Sequence, residues 1–383
     1  REMLQPGGGF YATQDADSEG EEGKFFAWTP GQIVEILGAD DGGLFCRYYG
    51  VEEIGNFEHG TSVLHVPVEA DTLAAHLKID GAHLGAVLTK GRGQLFDVRE
   101  QRVKPDRDEK ILTDWNGLMI GSLARAYSLL GNRVYLSAAE GTMRFVLDTM
   151  YHEGRLLHVY KDGEARLNGY LDDYAFLVSA LLDLYEASFD TEWFQMAMAL
   201  NGTMIDQFWD RDGGGFFFTS SDHEQLIVRS KNPYDNAIPS GNSVAVNNLL
   251  RLAAFTGRSD YKEMAEKTLI LFHDLMKSAP GGFGQLLSDV AWYVEGGIEI
   301  AIIGSEADPA TIALLEIVRR RDLRHTVIAL HDPVKGPAPV DLIPLLADRQ
   351  AVNGKPTAYV CRDMVCRQPV STADELGMIL DGP

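Results

Sequence analysis

Apolar residues recur at helical spacing three times over in the middle of the chain. In WNGLMIGSLARAYSLLG, residues 115–131, the positions Met119, Leu123, Ala126, Tyr127 and Leu130 form one stripe, and Gly131 closes the run as a C-cap. A partner helix is predicted over 133–150, followed by a glycine-containing hairpin, YHEGRLLHVY. The unit then repeats. Leu177, Ala180, Leu181, Leu184 and Tyr185 pattern a helix over 171–188, a partner covers 191–209, and DRDGGGFFFTS takes the hairpin position. In the third copy Val246, Leu249, Leu250 and Ala253 pattern the first helix, 259–278 its partner, and PGGFGQLL the hairpin. Such a unit, repeating every 55–70 residues or about that, cannot bury its apolar face alone and must stack on its neighbours. Hairpins at one end of every copy favour a mainly α fold, an α/α toroid, over an open solenoid. The first helix of each pair is assigned to the inner layer, because Trp115, Asn116, Asp172, Asp173, Asn242 and Ser243 stand near those N-termini. Helix N-termini with polar groups suit recognition of hydroxyls or anions.

The period differs on either side of the repeats. Thr29-Pro30 reads as an N-cap followed by proline at the first helical position, opening a helix over 30–37. GNFEHGTSVLHV, residues 55–66, reads as a loop leading into a short strand. Leu84, Val87 and Leu88 mark a further helix before the polar linker 101–110. In the tail, IEIAIIG (298–304) and HTVIAL (325–330) are strands flanking a helix over 308–321, with PTAYVC (356–361) as a third strand. Strand, helix, strand at this spacing is a βαβ crossover with a parallel pair. The expected organisation is therefore a toroid over 1–297 and a small α/β appendage over 298–383. Gly304-Ser305 offers one glycine where a dinucleotide fingerprint needs three, which argues against a nucleotide site.

Charge narrows the function. Lys and Arg total 34 against 56 Asp and Glu, a formal net charge of −22, which disfavours nucleic acid and anionic membrane surfaces as partners. No apolar run reaches the roughly 18 residues of a spanning helix. Three cysteines, Cys46, Cys361 and Cys366, fit a reducing compartment, and the expected location is cytoplasmic. Cys361 and Cys366 read as a structural thiol pair. The ten histidines show no metal-binding spacing, so neither metal nor cofactor is expected; a nucleophile elbow and a P-loop are also missing.

Candidate chemistry concentrates in GGGFYATQDADSEGEEGKFFAW, residues 7–28, where glycines and aromatics lead into Asp15, Asp17, Glu19, Glu21 and Glu22. Acids beside aromatics suit carbohydrate chemistry, in which paired carboxylates act as general acid and base or nucleophile. The competing structural reading is a solvated acidic loop. Asp172 and Asp173 are a second candidate pair, although the macrodipole favours acids in a first helical turn whatever the function. Asp114-Trp115-Asn116 combines an N-cap with an aromatic platform at a helix mouth, where a tryptophan serves either the core or a sugar ring. Arg229 and Lys231, before Pro239-Ser240-Gly241-Asn242, would suit an anionic sugar or serve a plain connection. The site is expected in a bowl on the hairpin face. Asp15, Asp17, Asp172 and Asp173 would be catalytic there, with Tyr11, Trp115, Asn116, Tyr170, Arg229, Lys231 and Asn242 binding substrate.

Six long motifs carry a family resemblance: GGGFYATQDADSEGEEGKFFAWTP, GNFEHGTSVLH, KPDRDEKILTDWNGLMI, YLDDYAFLVSALLDLYEASFD, IPSGNSVAVNNLLRLAAFTG and AYVCRDMVC. In this order they resemble the YyaL-like family, also called spermatogenesis-associated, thioredoxin-domain-containing proteins. The resemblance implies a thioredoxin-like domain followed by an (α/α)6 barrel of the six-hairpin glycosidase type. This chain opens with Arg1 inside that scheme, so it is expected to lack the thioredoxin-like domain and the first helical hairpins. Two functional classes follow. One is a carbohydrate-active enzyme, a glycoside hydrolase or a sugar epimerase. The other is a non-catalytic saccharide-binding or interaction module partnered with a thioredoxin-like domain. An open seam in the ring would be covered by a homodimer contact or by the absent N-terminal part.

Overall fold

The computed structural model describes residues 2–223, 228–321, 323–362 and 365–382. It divides the chain into two compact units: Ala12–Glu109, and the chain through Tyr11 together with everything from Lys110 onward.

The smaller unit is built on four helices, α1 (Pro30–Leu37), α2 (Ala39–Tyr48), α3 (Ala70–Leu77) and α4 (Gly81–Arg99). The helix expected at 30–37 begins as predicted. Thr29 accepts a hydrogen bond from Gln32 N while the Gln32 side chain accepts one from Thr29 N, a reciprocal capping box with Pro30 at the first helical position. Trp28, Ile33, Phe45, Leu84, Leu88 and Leu95 form the core of this unit. Gly91 is required where α4 meets α2, since a Cβ there would lie 2.6 Å from the Phe45 ring. Arg102 closes one side, its guanidinium 3.9 Å from the Trp28 ring centroid and donating to the carbonyls of Phe25 and Ala27 at 2.9 Å. The acidic segment forms two short antiparallel pairs. Strand β1 (Thr13–Gln14) pairs with β4 (Arg107–Asp108), and β2 (Asp17–Ser18) pairs with β3 (Glu21–Glu22). The strand expected at the end of 55–66 is reduced to a single bridge between Trp28 and Ser62.

In the larger unit, β5 (Ile111–Leu112) runs into the repeats: α5 (Thr113–Leu130) with α6 (Arg133–Met150), α7 (Leu171–Ser188) with α8 (Thr191–Phe208), and α9 (Gly241–Thr256) with α10 (Ser259–Ser278). Each pair is an antiparallel hairpin, and α5, α7 and α9 pack side by side as the inner layer of an α/α toroid. Close approach of α5 and α7 depends on Gly117, whose Cβ would lie 2.9 Å from the backbone of Phe176. Helix α7 is apolar around most of its circumference, as a helix enclosed on all sides should be. The hairpin expected in the third copy is different. PGGFGQLL makes one short 3-10 turn, and Gly284–Glu295 continues as α11, a further inner helix packed on α9.

Two asparagines tie glycine-rich segments to inner helices. On α5, Asn116 accepts from Phe10 N at 2.7 Å and donates to Phe10 O and Leu112 O. On α9, Asn242 accepts from Phe216 N at 2.8 Å and donates to Phe216 O and Asn232 O. Both aromatics follow the sequence Gly-Gly-Gly, so one clamp occurs twice. The remaining hairpin, β6 (Tyr151–His152), β7 (Arg155–Lys161) and β8 (Glu164–Asn168), is held to α7 by Tyr174, whose hydroxyl accepts from Leu156 N at 2.9 Å.

The tail has strand order β10 (Thr326–His331), β9 (Ile298–Ile303), β11 (Thr357–Arg362), β12 (Val365–Cys366). The β9–β10 pair is parallel across α12 (Pro309–Arg319), as the spacing predicted, while β11 is antiparallel. Alternation divides the sheet. Ala301, Ile303, Val327 and Ala329 join the main helical core, whereas Ile300, Ile302 and Val360 pack with α12 and α13 (Ala373–Asp381). Cys361 and Cys366 are joined as a disulfide rather than left as thiols, and Cys46 is buried and free. Among the described residues no helix is long and apolar enough to cross a membrane.

Candidate active site

The N-termini of α5 and α7, together with strand β7, bring together four titratable side chains: Asp114 from α5, Asp172 and Asp173 from α7, and His158 from β7. Thr113 anchors the start of α5, its hydroxyl donating to Leu157 O at 2.6 Å, so α5 begins against β7 and His158. Asp173, fully buried, occupies the third position of α7 and reaches back to accept from Tyr170 N at 2.7 Å. Its other oxygen accepts from Asp114 N at 3.0 Å, and His158 Nδ1 lies 3.0 Å from both carboxylate oxygens. One side chain thus caps two inner helices and orients a histidine.

Burial and crowding of like charges set the protonation states. The Asp172 carboxyl is pushed up to about 7, chiefly by burial and then by the charges of Asp114 and Asp173, against a hydrogen bond from Gly241 N–H at the start of α9. Asp114 is raised to about 6 by burial and by Asp173, while its hydrogen bond from Trp115 N opposes the rise. Asp173 is also raised by burial, with His158 pulling it back. Burial alone would lower His158, but its hydrogen bond and charge interaction with Asp173, backed by Asp114 and Asp172, carry it above its ordinary value. The site is therefore a proton-holding carboxyl, Asp172, beside a carboxylate that ionises earlier, Asp114, with an Asp173–His158 pair behind them.

Gly241 fits this arrangement because a Cβ there would lie 2.2 Å from Asp172 Oδ1. Aromatic walls flank the acids. Tyr170 is stacked on Phe218 with centroids 5.0 Å apart and meets the His158 ring edge-on at 5.1 Å. Trp115 is 40% exposed beside Asp114, an open aromatic face at the helix mouth. Asp114, His158 and Asp173 also offer three ligand atoms within 4.8 Å of one another. The mixed oxygen and nitrogen donors would suit a transition metal, but the Nδ1 edge of His158 is already spent on Asp173.

The other predicted residues divide by use. Asn116 and Asn242 are buried and committed to the backbone clamps, which makes them positioning groups. Arg229 donates to Thr219 O and Gln207 O and lies 4.3 Å over the Phe217 ring. Lys231 is paired with Asp210 at 2.6 Å and donates to Gly214 O. That pairing, with two backbone amides, holds Asp210 down to about 2. Both cations staple the loop after α8, so the partners expected from an anionic sugar are supplied internally. Tyr11 is half-buried against the main core. Asp15, between β1 and β2, and Asp17, which opens the β2–β3 hairpin, are both exposed in the smaller unit, and Asp15 accepts from Asp17 N. Sequence reasoning missed His158. Its signal was the alternation of β7, in which Leu156, His158 and Tyr160 share one face of the strand.

Cavity size does not locate this chemistry. A cavity of about 1020 Å³ lies at the far ends of α5 and α7 against the tail, lined by Tyr127, Phe189 and Arg319, and none of the clustered acids reaches it. A groove of about 560 Å³ between the inner helices starts one turn below the acids, at Gly117 and Phe176. The electrostatic cluster is the better guide, because perturbed acids that crowd one another cost stability and collect at functional sites.

Residues 115–275, which include Asp172, Asp173 and His158, match the model of glycosyl hydrolase family 76. The chain is 31% identical to spermatogenesis-associated protein 20 of Homo sapiens over 99% of its own length and 53% of that protein's. The resemblance read from the six motifs thus extends from end to end, and the chain spans about half the length of the curated relatives it matches. Among solved structures it is similar to cellobiose 2-epimerase from Spirochaeta thermophila (20% identity, TM-score 0.37, 44% of each chain). It is also similar to a family 76 α-mannanase from Bacteroides thetaiotaomicron (17% identity, TM-score 0.38, 57% of this chain and 54% of that one).

Proposed function

We propose that this chain carries the catalytic site of a carbohydrate-active enzyme, a glycoside hydrolase whose general acid is Asp172. The observation that supports it best is the pairing of two perturbed carboxyls at adjacent inner-helix N-termini. Asp172, raised to about 7, keeps part of its proton near neutral pH, and Asp114, raised to about 6, ionises before it. Glycosidic cleavage needs that division of labour: an acid to protonate the departing oxygen, and a carboxylate to serve as nucleophile or to activate water. Asp173 has no accessible surface and acts through His158 and Asp114, as a positioning residue. Trp115 supplies an exposed face for a sugar ring. The match to glycosyl hydrolase family 76 supports the same reaction class.

The test is turnover. A panel of oligosaccharides that includes α-1,6-linked mannosides, assayed for released reducing ends, should show a substrate that wild type cleaves and D172N does not. D172N should still bind it in a thermal-shift measurement. If no saccharide is cleaved or shifts the melting temperature, the chain is a non-catalytic module.

A further inference from the structure

The Cys361–Cys366 disulfide lies in the tail, on the sheet that covers the inner helices, and belongs to no part of the acid site. Its two sulfurs are unequal. Cys361 is buried in β11 opposite Glu299 of β9, whereas Cys366 is exposed on β12, at one end of the sheet order. The guanidinium of Arg349 points at both sulfurs, with Nη2 at 3.1 Å from Cys361 Sγ and 3.2 Å from Cys366 Sγ. Arg349 is fixed in place over the Tyr359 ring, 5.7 Å from its centroid, with the Glu299 charge nearby. The two cysteines are five positions apart on strands that already pair, so the bond closes a short loop, and chain entropy gives a short loop little stabilisation. A cation aimed at both sulfurs does nothing for a purely structural crosslink. It does favour a sulfur that must bear negative charge.

We propose that Cys361–Cys366 is a redox-active disulfide that exchanges with an external dithiol. A thiolate of the dithiol attacks the exposed Cys366 Sγ, forming a mixed disulfide and breaking the Cys361–Cys366 bond. The electron pair of that bond leaves on Cys361 Sγ, and Arg349 holds the resulting thiolate. The second thiolate of the dithiol then attacks its own sulfur in the mixed disulfide and releases Cys366 as a thiolate. Two electrons pass to the protein and the dithiol becomes a cyclic disulfide. A stabilised leaving thiolate accelerates the first step.

The native protein, equilibrated in buffers of reduced and oxidised dithiothreitol and then alkylated, reports the exchange by mass. The expected result is two labels entering together along a two-electron curve, Cys46 unlabelled, and an unchanged circular dichroism spectrum. R349M should slow reduction about tenfold, and R349K should recover most of the rate. A second measurement needs no variant. Trapping with glutathione should place the mixed disulfide on Cys366, located by peptide mapping. A pair that resists reduction until the protein unfolds, R349M exchanging at the wild-type rate, or glutathione found on Cys361 would each overturn the proposal.

Discussion

Two regions of this molecule are rich in carboxylates, and they behave in opposite ways. Between Asp15 and Glu22 the acids project from a short hairpin into water, and Lys24 pairs with Glu21 at 2.7 Å and Glu19 at 3.5 Å. At the mouths of α5 and α7 stand Asp114, Asp172 and Asp173, and burial raises all three, with repulsion from neighbouring acids adding to the rise of Asp114 and Asp172. Density of acidic residues along a sequence does not make a proton-transfer site. Desolvation does, because water screens a crowded hairpin and cannot screen a packed helix mouth.

The sharpest way to break that comparison is to neutralise one acid in each region. D172N should reduce turnover by about 10²–10⁴-fold, the worth of a general acid, while D15N and D17N leave it unchanged; the reverse result would move the site to the hairpin. G241A comes next. Its methyl group would meet Asp172 Oδ1 at 2.2 Å, so the carboxyl must shift, and a misplacement of that kind costs on the order of tenfold to a hundredfold in kcat. H158N removes a charge that holds Asp172 down, so the basic limb of the pH–rate profile should move to higher pH; a limb that stays put would uncouple the histidine from the acid.

Stability tests the same contrast. In the folded chain Asp172 and Asp114 keep their protons up to about 7 and about 6, whereas an unfolded aspartate releases its proton near pH 4. Raised acids favour the folded state at low pH. Their contribution is fully present below about pH 4 and is lost as pH rises towards 7, and the raised His158 acts with the same sign. Denaturation at pH 8 should therefore show D172N more stable than wild type by on the order of 2 kcal/mol, a gain absent at pH 4. K24M, which breaks exposed ion pairs of the acidic hairpin, should have the smallest effect: no measurable change in melting temperature.

Much of the scaffold was legible in the chain. The cap Gly131, Thr29-Pro30 and the strand-helix-strand tail all depend on short-range period and capping, which local sequence encodes. The stripe Met119, Leu123, Ala126, Tyr127 and Leu130 is not the buried face of α5: Gly117, Ile120, Gly121 and Ala124 are buried, because small residues let α5 approach α7, while Met119 and Leu130 are exposed. Helix α11 escaped notice because its glycine-rich start resembles the hairpins of the earlier copies, and only packing on α9 settles which form it takes. Asp172 and Asp173 were visible as a pair at a helix start, but the sequence gives neighbouring acids the same chemistry. Tertiary structure divides them. Asp173 is spent on two helix N-termini and on His158, and Asp172 is left beside Gly241 with its proton. Arg229 and Lys231 looked like anion ligands until the fold closed Asp210 and backbone carbonyls around them. The sequence by itself determined that these segments form helices and which residue types stand at the mouth. Only the tertiary structure decided which of those groups lose water and meet one another, since desolvation and long-range hydrogen bonds arise between segments far apart in the chain.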